Sequence, residues 1–212
     1  MSERRTVAFI DLAGFTTATA THGDEVAADL AGRLCELTSA SLGAGDQLVK
    51  GLGDAVMLIS RQPSDALALV GRICRLADHE VAFPLLRVGI HHGPVVERNA
   101  DWFGATINIG ARVAALAAAD QVLATADVAE AARRAGLAVV PVGATTLRGT
   151  AEAVDLFEVR PCEGAPGRVI DPVCRMAVIA SRAPARCELD GVEHVFCSVE
   201  CAAVFGRQID DR

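Results

Sequence analysis

Two aspartates stand where a chain could hold a metal and a phosphate side by side. Asp11 closes the apolar run Val7-Ala8-Phe9-Ile10. Leu12-Ala13-Gly14-Phe15-Thr16 follows it with a glycine turn and the opening of a helical pattern. A carboxylate at a strand end can ligate a hard divalent cation, and the first amides of the next helix can meet an anion. Asp54 ends the tight turn Gly51-Leu52-Gly53 between the β-rich runs 47–50 and 55–59. Cys174, Cys197 and Cys201 form a second chemical set. Cys197 and Cys201 lie four apart at the start of a short helix, so both thiols can face one point. Three thiolates suit zinc or copper(I). His194 is the nearest candidate for a fourth ligand, and Cys187 a weaker one.

The elements that must position these residues follow from periodicity. Residues 5–12 read as a strand. Residues 16–42 read as helical, with Val26, Leu30, Leu34 and Leu37 as the buried face and a break at Gly23-Asp24. A hairpin spans 47–59 and a helix spans 63–79, with Ser64 as its N-cap. A strand runs from Leu85 to His91 and stops at Gly93-Pro94, and a polar, turn-like stretch covers 97–104. A small-residue helix (105–119), a strand (121–124), a helix (127–135) and three strands (137–142, 145–147, 154–159) complete the pattern. The order β-α-β-β-α-β predicts an α+β, ferredoxin-like sheet with helices on one face and extra C-terminal strands. In that topology the end of the first strand adjoins the start of the third, so Asp11 and Asp54 converge. Two carboxylates at one point are what a two-metal phosphoryl-transfer site requires.

Pro161 to Gly167 holds two Pro and two Gly and reads as a linker over 161–168, between a domain at 1–160 and a small cysteine-containing module at 169–212. The net charge of −7 offers no footprint for a nucleic-acid polymer or an anionic membrane. No apolar run reaches the length of a membrane span, and the N-terminus does not read as a secretory signal, so a cytoplasmic location is expected. His22 and His79 read as surface residues of helices, and Cys35 and Cys74 as core residues. Cys162 has no evident partner. His91 and His92 read as packing residues rather than ligands.

Four motifs in order resemble the class III adenylate/guanylate cyclase catalytic domain. They are Phe9-Ile10-Asp11-Leu12-Ala13-Gly14-Phe15-Thr16, Lys50-Gly51-Leu52-Gly53-Asp54, Val88-Gly89-Ile90-His91-His92-Gly93-Pro94, and Trp102-Phe103-Gly104-Ala105-Thr106-Ile107-Asn108-Ile109-Gly110-Ala111-Arg112. The resemblance implies conversion of ATP to 3′,5′-cyclic AMP and pyrophosphate. Asp11 and Asp54 would bind two Mg²⁺ or Mn²⁺, and the amides near Gly14, Phe15 and Thr16 would cradle the triphosphate. Asn108 would orient the ribose and Arg112 would stabilise the transition state. Arg148 would stand where the family usually has a Lys on the triphosphate.

Lys50 and Asp101 match the base-reading positions. Adenine offers an N6 donor and an N1 acceptor, which a carboxylate and an ammonium complement; guanine reverses the pattern, so ATP is expected. The family places metal and base residues of one site on different chains, which implies a homodimer. A guanylate cyclase and a nucleotide-binding regulator of low turnover are the competing readings. In the C-terminal module, Asp171-Pro172-Val173-Cys174-Arg175-Met176 and Phe196-Cys197-Ser198-Val199-Glu200-Cys201 resemble a YHS domain, a relative of TRASH-type metal modules, with Arg175 in place of the usual Gly. That resemblance implies a thiophilic metal such as Zn²⁺ at Cys174, Cys197 and Cys201.

Overall fold

The computed structural model describes residues 3–148 and 152–210. The chain order is β1 (Glu3–Leu12), α1 (Phe15–His22), α2 (Asp24–Ser41), β2 (Gln47–Gly51), β3 (Ala55–Ser60), α3 (Pro63–Asp78), β4 (Ala82–Phe83), β5 (Leu86–Arg98), β6 (Asp101–Phe103), α4 (Ala105–Leu116), β7 (Gln121–Thr125), α5 (Ala126–Arg134), β8 (Ala138–Thr146) and β9 (Ala153–Arg160). After these come β10 (Arg168–Ile170), β11 (Ala177–Ile179), β12 (Ala185–Leu189), β13 (Val192–Phe196) and α6 (Val199–Asp210).

The main sheet runs β2-β3-β1-β5-β7-β9-β8. Its first four strands have the ferredoxin-like order, and β1 pairs antiparallel with both β3 and β5. β7 joins in parallel with β5, which requires a crossover, and α4 supplies it. Alternation along β1 assigns the two faces of the sheet. Ala8, Ile10 and Leu12 pack with Leu30, Leu34, Ile73 and Val128 of α2, α3 and α5. Val7 and Phe9 pack the other way, with Met57, Trp102 and Ala114 of α4. Helices therefore cover both faces, not one as the strand order alone suggested. The close seat of α4 depends on Gly89, where a Cβ would stand 2.1 Å from the Ala114 backbone nitrogen.

Several boundaries differ from the sequence reading for identifiable reasons. β5 continues through Gly93-Pro94 to Arg98, because both residues still pair with β1. The stretch 97–104 is therefore largely a β5–β6 hairpin, turned by Asn99 and Ala100 at positive φ. α3 is capped by Gln62 rather than Ser64. The Gln62 side chain takes an N3 amide, Asp65 reaches back to the Gln62 amide, and Pro63 fills N1. In α2 the buried face starts at Ala27, leaving Val26 exposed.

The C-terminal segment adds β10 and β11 to the short β4, making a second, three-stranded sheet. Arg168 forms an ion pair with the mostly buried Asp78 of α3. β12 and β13 form a hairpin across Asp190-Gly191, and α6 closes over it. Cys174, Met176, Phe196 and Cys201 belong to the same apolar cluster as Ile10 and Ile73. The segment is thus continuous with the core beneath the main sheet. Among the described residues, no helix is long and apolar enough to cross a membrane.

Candidate active site and a thiol cluster

Asp11 is the last polar position of β1 on the α4 side of the sheet, and its register partner is Ala55, the residue after Asp54. The amide of Leu12 donates to the Asp54 carbonyl oxygen at 3.0 Å, fixing the two turns together. Burial pushes the Asp11 carboxyl up, and the charge of Asp54 adds to that. The Arg87 guanidinium pulls the other way, donating to Asp11 Oδ2 at 3.0 Å. Asp11 Oδ1 is buried with no hydrogen-bond partner. A buried, unpartnered carboxylate oxygen beside a second carboxylate fits a hard divalent cation, which would satisfy the lone pairs that protein groups leave open. The resemblance did not single out Arg87. Its signal was a charged residue in the apolar alternation Leu86-Arg87-Val88, and the β1–β5 register sets it opposite Asp11.

Gly14 caps α1 at φ 76°, a left-handed conformation that glycine adopts without strain. The first intrahelical bond runs from the Ala18 amide to the Gly14 carbonyl, so the amides of Phe15, Thr16 and Thr17 lie ahead of it. They form a helix N-terminus directly after the carboxylate strand.

Lys50 and Asp101 meet. Lys50 Nζ donates to Asp101 Oδ2 at 2.6 Å. That ammonium, with the Trp102 amide, holds the Asp101 carboxyl below its ordinary value. Trp102 anchors the hairpin, buried against α4 and donating its indole N–H to Gln47 at 3.0 Å. Lys50 pairs in register with Met57, whose side chain faces α4, so Lys50, Asp101 and Asp11 share one face of the sheet. On α4, Thr106, Gly110, Val113 and Ala114 turn inward. Asn108 is exposed and Arg112 half-buried, one turn apart on the outer side. Arg148 is exposed just beyond β8, and Gly149 of its motif lies outside the described residues.

One face of the sheet therefore carries the Asp11–Asp54 pair beside a helix N-terminus and, separately, a Lys–Asp pair near an Arg-bearing helix. Residues 1–159 match the family model described as the adenylate and guanylate cyclase catalytic domain. The chain belongs to this family. It is 37% identical over 159 residues to a pH-sensitive adenylate cyclase of Mycobacterium tuberculosis, covering 73% of this chain and 40% of that protein. It is 36% identical over 132 residues to an adenylate cyclase of Streptomyces coelicolor, covering 61% and 34%. The chain thus matches well under half the length of these relatives. Among solved structures, a Trypanosoma brucei adenylate cyclase in its monomeric state aligns with TM-score 0.66 at 23% identity, covering 82% of this chain and 93% of that one.

Away from that face, the structure corrects three readings. His22 is not a surface residue of its helix. It ends α1 with Nε2 3.4 Å from Cys197 Sγ and 3.6 Å from Cys201 Sγ. His194 and Cys187 are not placed with the cysteines. They face each other across the β12–β13 ladder, and the His194 ring lies against Phe205. Nothing local in the sequence marks His22, because its partners begin some 150 residues later. The Cys174 and Cys197 Sγ atoms lie 3.4 Å apart and share a hydrogen bond, which holds the Cys174 thiol down at about 6 and pushes the Cys197 thiol up. Cys162, expected to lack a partner, sits beside Cys74. His91 and His92 bond to Thr125 and Thr6, in keeping with a packing role.

Proposed function

We propose that this chain is an adenylate cyclase that converts ATP to 3′,5′-cyclic AMP and pyrophosphate. The observation that carries the choice of nucleotide is the Lys50–Asp101 pair on the face that holds Asp11. An ammonium and a carboxylate held together complement N1 and the N6 amino group of adenine. They oppose the O6 acceptor and N1–H donor of guanine.

In the reaction the ribose 3′-oxygen forms a bond to the α-phosphorus and gives up its proton, and the α–β bridging oxygen leaves with pyrophosphate. Asp11 and Asp54 would hold two Mg²⁺ or Mn²⁺, and the buried open oxygen of Asp11 supports that assignment. Bound there, the cations lower the cost of negative charge on the reacting oxygens. The amides of Phe15 and Thr16 orient the triphosphate, and Arg148 adds positive charge to it. Asn108 positions the ribose. Arg112 presents a fork that can hold two oxygens as charge develops at phosphorus.

Base and metal residues act on opposite ends of ATP, yet Lys50 and Asp54 flank one turn. We infer a head-to-tail homodimer in which each site takes Asp11 and Asp54 from one protomer and Lys50, Asp101, Asn108 and Arg112 from the other. The exposed apolar side chains of Leu52, Phe103 and Leu116, which border these residues in sequence, support a partner surface there. The cysteine-containing segment is a candidate regulator through a thiophilic metal. Cyclase assays with ATP and GTP in parallel, with Mg²⁺ or Mn²⁺, test the proposal. Cyclic AMP as the main product supports it, and a preference for GTP would overturn the reading of Lys50 and Asp101.

A further inference from the structure

We propose that His22 of the cyclase domain is the fourth ligand to a single zinc-class ion held by Cys174, Cys197 and Cys201. The ion would then be a strut between the C-terminal module and the helix that follows the Asp11 turn. The regulatory half of this inference rests on the cyclase reading above; the site itself does not.

The spacing of the ligand atoms is that of a four-coordinate site. With zinc–sulfur bonds of about 2.3 Å and zinc–nitrogen bonds of about 2.0–2.1 Å, the edges of such a site are about 3.8 Å between sulfurs and about 3.6 Å between sulfur and nitrogen. The observed separations are 3.4 Å for Cys174–Cys197 and 3.6 Å for Cys197–Cys201, with 3.4 Å and 3.6 Å from His22 Nε2 to Cys197 and Cys201. All four ligand atoms lie within 4.8 Å of one another. Cysteines that served only as small core residues would have no reason to gather an imidazole among them. Three thiolates and one imidazole satisfy a closed, four-coordinate site.

The scaffold behind the thiols is built to hold them still. Asp171 is fully buried, and its carboxylate takes the amides of Val173 at 2.8 Å, Cys174 at 3.2 Å and Cys197 at 2.7 Å. One side chain thus fixes both turns that carry ligands. Ser198 caps α6 through the Cys201 amide at 3.1 Å, setting the third. The Cys174 turn closes with Arg175 at φ 68°, and this turn rests on the nucleotide loop. The Arg175 Cβ lies 3.5 Å from where a Cβ on Gly14 would stand. An ion at this point therefore grips α1 at its last residue while the module touches it at its N-terminal cap. Loading the ion would order α1 and fix the angle at which the Phe15 and Thr16 amides face the substrate. Losing it would release the far end of α1 and leave the loop held by β1 and by the Leu12–Asp54 and Ala13–Leu85 backbone bonds.

The test uses the full chain, stripped of metal and titrated with cobalt(II) as a spectroscopic probe. The expected result is that tetrahedral ligand-field bands and thiolate charge-transfer bands saturate at one cobalt per chain. His22→Ala should weaken binding by more than the roughly 10- to 100-fold typical of losing an outer-shell partner. His22→Cys should restore affinity with added thiolate intensity, and His194→Ala should change nothing. Amide exchange over residues 15–22 should slow on zinc loading in the wild type and not in His22→Ala. The proposal is overturned if the reduced chain takes no cobalt, if Cys174 and Cys197 are recovered as a disulfide under reducing conditions, or if His22→Ala binds like the wild type. None of these readouts depends on turnover, so a failure of the cyclase reading would appear separately, as absence of cyclic AMP.

Discussion

The catalytic face and the thiol cluster are both assembled from distant parts of the chain, but in different ways. On the candidate catalytic face each residue sits in a strand or helix or in the turn beside one, and the sheet register brings the two aspartates together. Asp11 and Asp54 meet because β1 and β3 pair antiparallel with Asp11 opposite Ala55. At the thiol cluster no ladder connects the ligands. His22 reaches Cys197 across 175 residues because two packed units share one apolar core. Convergence through register follows from topology, whereas convergence through packing requires coordinates.

That contrast predicts opposite responses to substitution. The largest effect should come from Asp54→Ala, which removes several kcal/mol of charge stabilisation; cyclic AMP formation should fall by roughly a thousandfold or more while the thermal midpoint barely moves. Asp171→Asn should do the reverse. The buried carboxylate accepts three amides, each worth more for being charged, so the loss should be on the order of 2–4 kcal/mol of stability. A melting curve of the full chain reads it. Equal damage to turnover and stability in either variant would erase the distinction between the two regions.

A third test sharpens the border between them by pH. Burial, with the neighbouring His92 adding to it, lowers His91 to about 4 from 6.5 in the unfolded chain. Its contribution is present in full above pH 6.5 and is lost as pH falls towards about 4, because the unfolded chain takes up the proton first. The gap corresponds to about 3 kcal/mol at most. His91→Gln should flatten the slope of stability against pH between those values, and an unchanged slope would assign it elsewhere. The smallest effect should be Arg175→Gly. Arg175 holds φ 68°, where a side chain is strained and glycine is not, so the variant should gain about 1 kcal/mol in denaturant unfolding.

Legibility in the sequence divides along the same line. The strand order, the hairpin bearing Lys50 and Asp54, and the helix bearing Asn108 and Arg112 were readable, because alternation and turn residues are local signals. The passage of β5 through Gly93-Pro94 was not, since pairing with β1 overrides the turn propensity of that dipeptide. The seat of α4 on the opposite face was hidden for a related reason. Gly89 looks like any strand glycine until Ala114 presses on it. Arg87 was visible as a charge in an apolar strand but needed the register to give it Asp11. His22 carried no signal, because a histidine at a helix end is most simply a C-terminal surface residue.

The claim that the catalytic face works against a second copy of itself is tested most directly by mixing Asp54→Ala with Arg112→Ala, each inactive alone. Random exchange makes half the dimers mixed, and each mixed dimer carries one intact site of two, so activity should return to about a quarter of the wild-type value. A mixture as inactive as its parents, with subunit exchange demonstrated, would contradict the shared site.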